Sequence, residues 1–536
     1  MIKVQLNRQN FEYDVHSLVK AFYPDQDVQI VYTPEAFQEA SEQQKGTEHI
    51  RKEAIQERNG NGKKEAPQEE VQPSLLLVIS YIGEQDQKLL VQFLEKEAVV
   101  MEDEICMDAD LERKEVKNQL KRLLYRMLSA YTGQSLPWGN LTGIRPTKIP
   151  MTLLEQGWKN SEIAQYMRET YYTSKEKTAL AISIANKERH LLKEFHTNMV
   201  WEACPDAKKK VPKGYSLYVG IPFCPSICLY CSFSSSPLHL WKDQVDAYLD
   251  ALCKEIEYAS DACSGMILET VYIGGGTPTT LEPYQMDRLL TKLEQSFDQS
   301  HVKEFTVEAG RPDSITREKL EVLRRHGISR ISINPQTMNQ KTLDLIGRKH
   351  TVEDTIQIFR MARELGFDKI NMDLIVGLPG EGKEEVEHTM QEIAKLDPEN
   401  VTVHSLAVKR AARLKLFKEE HKEMTLTNNS EIMDMTAAYA QKSELYPYYM
   451  YRQKNMAGNF ENVGYAKEGK EGLYNILIME EVQSILALGA GASTKLVWAK
   501  DRIERIENVK DIRNYIDRID EMIERKRAGL YEYSHA

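Results

Sequence analysis

From Tyr215 to about Val408 the chain repeats one rhythm six times: a β-prone apolar run, then an amphipathic stretch long enough for a helix. The apolar runs are YSLYVGI, TVYIGGG, EFTVEAG, RISINP, KINMDLIVGL and NVTVHSLAV. Repeated strand–helix units predict a parallel sheet with right-handed crossovers. Six units fall short of the eight of a closed barrel, so the expected α/β core is a partial, TIM-like (β/α)6 barrel. One connecting segment, LWKDQVDAYLDALCKEIEYAS, places Val245, Tyr248, Leu249, Leu252 and Ile256 three and four residues apart, a single buried helical stripe. Cys253 shares that stripe and reads as a core thiol.

A length of 536 residues leaves room for about three or four domains. Residues 1–200 read as an N-terminal α/β domain with no evident link to the chemistry. Within it, the polar and charged stretch at about 38–70 has little to bury and is expected to be a disordered insertion. The lysine-rich CPDAKKKVPKG then leads to the core at 212–410, and 411–536 reads as a mixed, largely helical C-terminal domain that covers the substrate. The net charge of −11 argues against broad binding to nucleic acid. No apolar run reaches about 18 residues and the N-terminus lacks the features of a signal peptide, so a cytoplasmic protein without a membrane span is expected. Thiols stay reduced there, and a cysteine cluster points to metal binding or catalysis.

Chemistry in a parallel barrel gathers at the C-terminal ends of its strands. After the first strand comes GIPFCPSICLYCSF, with Cys224, Cys228 and Cys231 in the spacing C-x3-C-x2-C. After the second comes GGGTPT. The third strand ends at Glu308 and the fourth at Gln336; the fifth carries Asp373, and the sixth carries His404 and Ala407. A structural zinc usually takes four ligands as two separated pairs, whereas here one loop supplies three thiols. Cys204 and His239 are possible fourth ligands without zinc-pair spacing. An iron–sulfur cubane, a zinc ion and a chance grouping all remain open, and the cubane fits best. Three cysteines leave one of its irons free for a small molecule.

The texts YVGIPFCPSICLYCSF, GGGTPT and INMDLIVGLPG resemble the radical S-adenosylmethionine (radical SAM) enzymes, and among them the oxygen-independent coproporphyrinogen III oxidase family. LTGIRPTKI, TVEAGRPDSI and YRQKNMAGNFENVGYAK resemble its HemZ-type branch. The resemblance implies that Cys224, Cys228 and Cys231 hold a [4Fe-4S] cluster, with SAM on the fourth iron. It implies that Tyr218, Tyr230, Gly275, Gly276, Thr277, Glu308, Gln336, Arg348, Asp373 and Ala407 contact SAM. Asp373 would accept hydrogen bonds from the ribose, and Arg348 would pair with a carboxylate. The charged VKRAARLK reads as a solvated helix face or as a site for substrate propionates; YPYYMYRQKN reads either as a structural strand with surface charges or as a stretch whose aromatic rings pack a tetrapyrrole face while Arg452 or Lys454 meets propionates.

The implied activity is the oxidative decarboxylation of coproporphyrinogen III to protoporphyrinogen IX in porphyrin and haem biosynthesis. A deoxyadenosyl radical removes a propionate hydrogen; loss of carbon dioxide and one further electron leaves a vinyl group. The implied partners are the tetrapyrrole and a low-potential electron donor such as flavodoxin or ferredoxin, with the protein a monomer. The sequence departs from less closely similar oxidases at Gly220, where they have histidine, and at Phe233, where they have a further cysteine. Related proteins with the phenylalanine include haem-binding chaperones. A haem chaperone and an enzyme acting on another tetrapyrrole are therefore the alternatives. Anaerobically reconstituted protein is expected to be brown, with broad absorption in the blue that Cys228→Ala abolishes; a colourless protein with stoichiometric zinc would refute the cluster.

Overall fold

The computed structural model describes residues 1–24, 26–33, 74–82, 88–108, 110–197, 213–233, 235–407, 414, 427–453, 460–499 and 502–535. The insertion at about 38–70, Cys204, Lys454 and all of VKRAARLK except Leu414 lie outside the described residues. The chain gathers into two units: Met1–Thr142 with Ala164–Thr178, and Gly143–Ile163 with Ala179–Ala536. No helix among the described residues is long and apolar enough to cross a membrane.

In the first unit, strands β1 (Ile2–Leu6), β2 (Val28–Tyr32), β3 (Leu75–Ile82), β4 (Lys88–Glu95) and β5 (Ala98–Cys106) form one sheet in the order β2-β1-β3-β4-β5. The first three run parallel and the last two antiparallel. Helices α1 (Glu12–Phe22) and α2 (Arg113–Thr132) contribute Val15, Leu18, Leu120, Leu124 and Leu128 to its core. β5, AVVMEDEIC, is a largely exposed edge strand that turns only Met101 and Ile105 toward the core, too few apolar residues to mark it in the sequence.

In the second unit all six expected strands form: β6 (Gly214–Ile221), β7 (Ile267–Gly275), β8 (Glu304–Gly310), β9 (Arg330–Ile333), β10 (Ile370–Val376) and β11 (Asn400–Ser405). Each pairs with the next in parallel. The C-terminal region extends this same sheet. β12 (Tyr446–Tyr451) and β13 (Asn462–Ala466) add antiparallel beyond β11. On the other side β14 (Ser484–Leu488) pairs in parallel with β6, followed by β15 (Ser493–Ala499) and β16 (Arg502–Glu507). The result is an open eleven-stranded sheet, β12-β13-β11-β10-β9-β8-β7-β6-β14-β15-β16. The C-terminal region is thus mixed, as expected, with helices beside short strands that satisfy their backbone groups on the core's two edges. The stripe Val245, Tyr248, Leu249, Leu252 and Ile256 is buried on α3 (Val245–Ala262), while Cys253 is only half-buried.

The boundary expected near residue 200 also moves. Gly143–Ile163 belongs to the second unit, where Ile144 O accepts from Arg452 N at 2.8 Å and Arg145 Nη2 meets Glu481 Oε2 at 2.8 Å. Truncation near residue 212 would remove these contacts.

Two buried ion pairs lie in the second unit. Glu304 and Arg330 meet at 3.1 Å on the inner face of the sheet. Glu304 also accepts from Leu473 N at 2.9 Å and Tyr474 N at 3.1 Å, at the start of α4 (Leu473–Glu480). Lys526 Nζ lies 2.7 Å from Glu255 Oε1, both side chains fully buried. Removing one member of such a pair costs about 3–5 kcal/mol. Lys526→Met is therefore expected to lower the melting temperature markedly. The exposed Lys254→Met should cost less than about 0.5 kcal/mol.

Candidate active site at the strand ends

The site begins where β6 runs into the cysteine loop. Gly276 N donates to Ile221 O at 2.8 Å and Thr277 N to Phe223 O at 2.7 Å, so the end of β7 is bonded to the base of that loop. A Cβ on Gly276 would stand 2.5 Å from Phe223 O and 3.0 Å from Cys224 Sγ. The approach this glycine permits is therefore to the loop itself, where the sequence reading invoked a ligand. Gly275 adopts φ 114, a region that side chains disfavour. Thr277 Oγ1 donates to Cys224 Sγ at 3.4 Å.

Cys224 and Cys228 are buried and Cys231 is half-buried. Burial pushes the Cys224 and Cys231 thiols up, and the charge of neighbouring cysteines adds to this. The three thiols thus lie within electrostatic reach of one another. No three His, Cys, Asp or Glu side chains among the described residues converge as ligands of a single ion. Three thiols supplied by one loop are soft donors of the kind that would hold an iron–sulfur cluster. His239, weighed as a fourth ligand, is exposed.

Tyr230 and Leu229 pack on an apolar cluster of Leu343, Ile346, Ile375, Leu378, Leu406 and Leu414. Arg348 is buried, donates to Asn334 O and reaches Tyr230 Oη at 3.2 Å. Its Nε has no hydrogen-bond partner among the described residues, which suits an acidic ligand. Gln336 adopts φ 69 and bridges to β10, its N donating to Asp373 O at 3.0 Å. Ala407 is half-exposed beyond β11.

A row of polar side chains crosses these strand ends. Tyr272 donates to Glu308 and stacks on Tyr474 at 4.5 Å between ring centroids; Tyr218 stacks on its other neighbour Tyr272 at 6.2 Å. His404 reaches Asp373 Oδ1 at 3.6 Å through Nε2 and Tyr451 Oη at 3.4 Å through Nδ1. Asn371 Nδ2 donates to Asp373 Oδ1 at 2.8 Å. Although burial opposes it, these partners hold the Asp373 carboxyl below its usual range. Burial, reinforced by the charge of Asp373, pushes Glu308 up to about 7. Gly464 leaves room for Tyr449, whose ring would stand 1.9 Å from a Cβ there.

Most of the residues implied by the resemblance lie on the expected strands or in the loops that follow them, whereas Arg348 lies beyond the short helix Gln340–Leu345 that follows β9. Several others escaped the sequence reading. Tyr474 comes from α4, a distant segment with no local signal. Arg311, inside the quoted TVEAGRPDSI, donates to Cys228 Sγ at 3.7 Å. Arg452 is buried, where a surface or propionate-facing charge was expected, and burial pulls it down to about 10.

Residues 218–393 match the model of the radical SAM superfamily. The chain belongs to this superfamily, whose members use a [4Fe-4S] cluster and S-adenosylmethionine. The oxygen-independent coproporphyrinogen-III oxidase-like protein HemZ of Bacillus subtilis is 40% identical over 417 residues, 77% of this chain and 81% of the relative. Within the superfamily the chain belongs to that HemZ family. The heme chaperone HemW of B. subtilis is 32% identical, covering 57% of this chain and 76% of the relative. The oxygen-independent coproporphyrinogen III oxidase of Escherichia coli is 33% identical, covering 40% and 47%.

Glu308 offers a test of the site's electrostatics. Its folded-state pKa of about 7 lies above the ordinary 4.5, so folding takes up a proton there. Its contribution to stability is complete below about pH 4.5 and is lost as the pH rises toward 7. Glu308→Gln is expected to flatten the change of melting temperature across this window; an unchanged slope would contradict the assignment.

Proposed function

We propose that this protein catalyses the oxygen-independent oxidative decarboxylation of coproporphyrinogen III to protoporphyrinogen IX. The observation that carries the reading is the 40% identity to a coproporphyrinogen-III oxidase-like protein over 81% of that relative. The arrangement at the strand ends supports it. In this reading Cys224, Cys228 and Cys231 hold the cluster. When bound, the cluster and SAM together supply a one-electron reductant and a hydrogen-abstracting radical.

The chain's own residues bind, orient and exclude water. Asp373, charged and held by His404 and Asn371, accepts hydrogen bonds from the ribose hydroxyls. Arg348 offers its unpartnered Nε to the carboxylate of SAM. Gly275, Gly276 and Thr277 set the floor beside Cys224, and Tyr218, Tyr230, Glu308, Gln336 and Ala407 complete the SAM site. The tyrosines around Tyr272 keep the interior beneath it dry.

A second reading, a haem chaperone, is favoured by the HemW relative and by Phe233, which is 74% exposed. Anaerobic incubation with SAM, dithionite and coproporphyrinogen III separates the two. The oxidase is expected to release tetrapyrrole that has lost two carboxyl groups, with 5′-deoxyadenosine. A chaperone would leave the substrate intact and bind haem stoichiometrically. In parallel, Asp373→Ala is expected to weaken SAM binding by about 1.5–3 kcal/mol with normal iron content.

A further inference from the structure

We propose that Arg311 is a positioning residue for the cluster: it clamps the middle of the cysteine loop and raises the cluster's reduction potential through Cys228. The inference rests on the radical SAM reading of that loop and goes beyond it.

Arg311 is 3% exposed. Its guanidinium is held on one edge by Asp313, with Nε to Oδ1 at 2.9 Å and Nη2 to Oδ2 at 2.6 Å. Such a two-point pairing fixes the plane and aim of the whole group. The remaining nitrogen, Nη1, faces the cysteine loop. It donates to Ser226 O at 3.0 Å, to Ser226 Oγ at 2.8 Å and to Cys228 Sγ at 3.7 Å. Ser226 Oγ in turn donates to Gly347 O at 3.3 Å. One side chain from the turn after β8 thus ties down both the backbone and a thiol of the loop.

A buried donor and a positive charge at a ligand sulfur favour the more negative, reduced state of a cluster. The effect is strong because little water screens it. Arg348 also acts on the same sulfur by charge and hydrogen bonding, besides its bonds to Asn334 O and Tyr230 Oη, and it stays unchanged in the variants tested below. Asp313 carries the opposing charge, so the two members of the pair should move the potential in opposite directions.

The test uses full-length protein, anaerobically reconstituted, with iron and sulfide measured per chain. The midpoint potential is read by mediated dithionite titration and electron paramagnetic resonance. Arg311→Gln is expected to hold its cluster at a lower potential than the wild type, and Arg311→Lys to fall between them. Asp313→Asn is expected to shift the potential upward. A purely structural clamp would not produce opposite signs. Fully loaded Arg311→Gln with the wild-type potential would overturn the inference. If that variant holds no cluster, Arg311→Lys and Asp313→Asn decide: wild-type potentials in both overturn it. Wild-type protein that takes up no cluster would defeat the radical SAM reading instead, so the two failures are distinct.

Discussion

Two backbone hydrogen bonds join the end of the second barrel strand to the base of the cysteine loop, Gly276 N to Ile221 O and Thr277 N to Phe223 O. The placing of the site depends on them. They exist because position 276 carries no Cβ, which would overlap Phe223 O and touch Cys224 Sγ. With this seam closed, Thr277 reaches Cys224, and the thiols occupy the C-terminal edge of a rigid parallel sheet. Loops on such a scaffold hold reactive groups with more precision than loops on a flexible one.

The same edge separates two buried carboxyls by environment. Asp373 has His404 and Asn371 as partners and stays charged in spite of burial. Glu308 has a tyrosine hydroxyl and a backbone donor, with Asp373 as an unfavourable neighbour, and its carboxyl rises to about 7. Nearby groups pushed apart in this way can take different tasks at one pH, one accepting hydrogen bonds and the other holding a proton. The Tyr218, Tyr272 and Tyr474 rings stack within the core, and Glu304 with Arg330 joins the sheet to α4 as a paired charge.

The oxidase and chaperone readings share this machinery. They diverge where the chain differs from less closely similar oxidases, at Gly220 and Phe233. Gly220 sits under Tyr218, and its carbonyl accepts from Tyr248 Oη at 2.7 Å, so it is part of the packed strand. Phe233 instead stands in solvent beside the cysteine loop. The difference between the readings lies in what meets that surface and the substrate, and less in how the cysteines are held.

The sequence by itself determined the parts whose signals are local. Six apolar runs became six parallel strands, since each run had to be covered on both faces. The C-x3-C-x2-C spacing and the triple glycine marked the loop and its seam. Charge and edge pairing hid β5, and nothing local in Tyr446–Tyr451 or Ser484–Leu488 says which sheet they join. Only the tertiary structure decided that these strands extend the core, that Ile144 and Arg145 belong with Arg452 and Glu481, and that Tyr474 stacks on Tyr272. It also decided that Arg311 meets Cys228, 83 positions away along the chain. Periodicity and spacing report a segment's own burial and chemistry. Which distant segment completes it depends on hydrogen bonds and charge pairs that form only when the chain has closed.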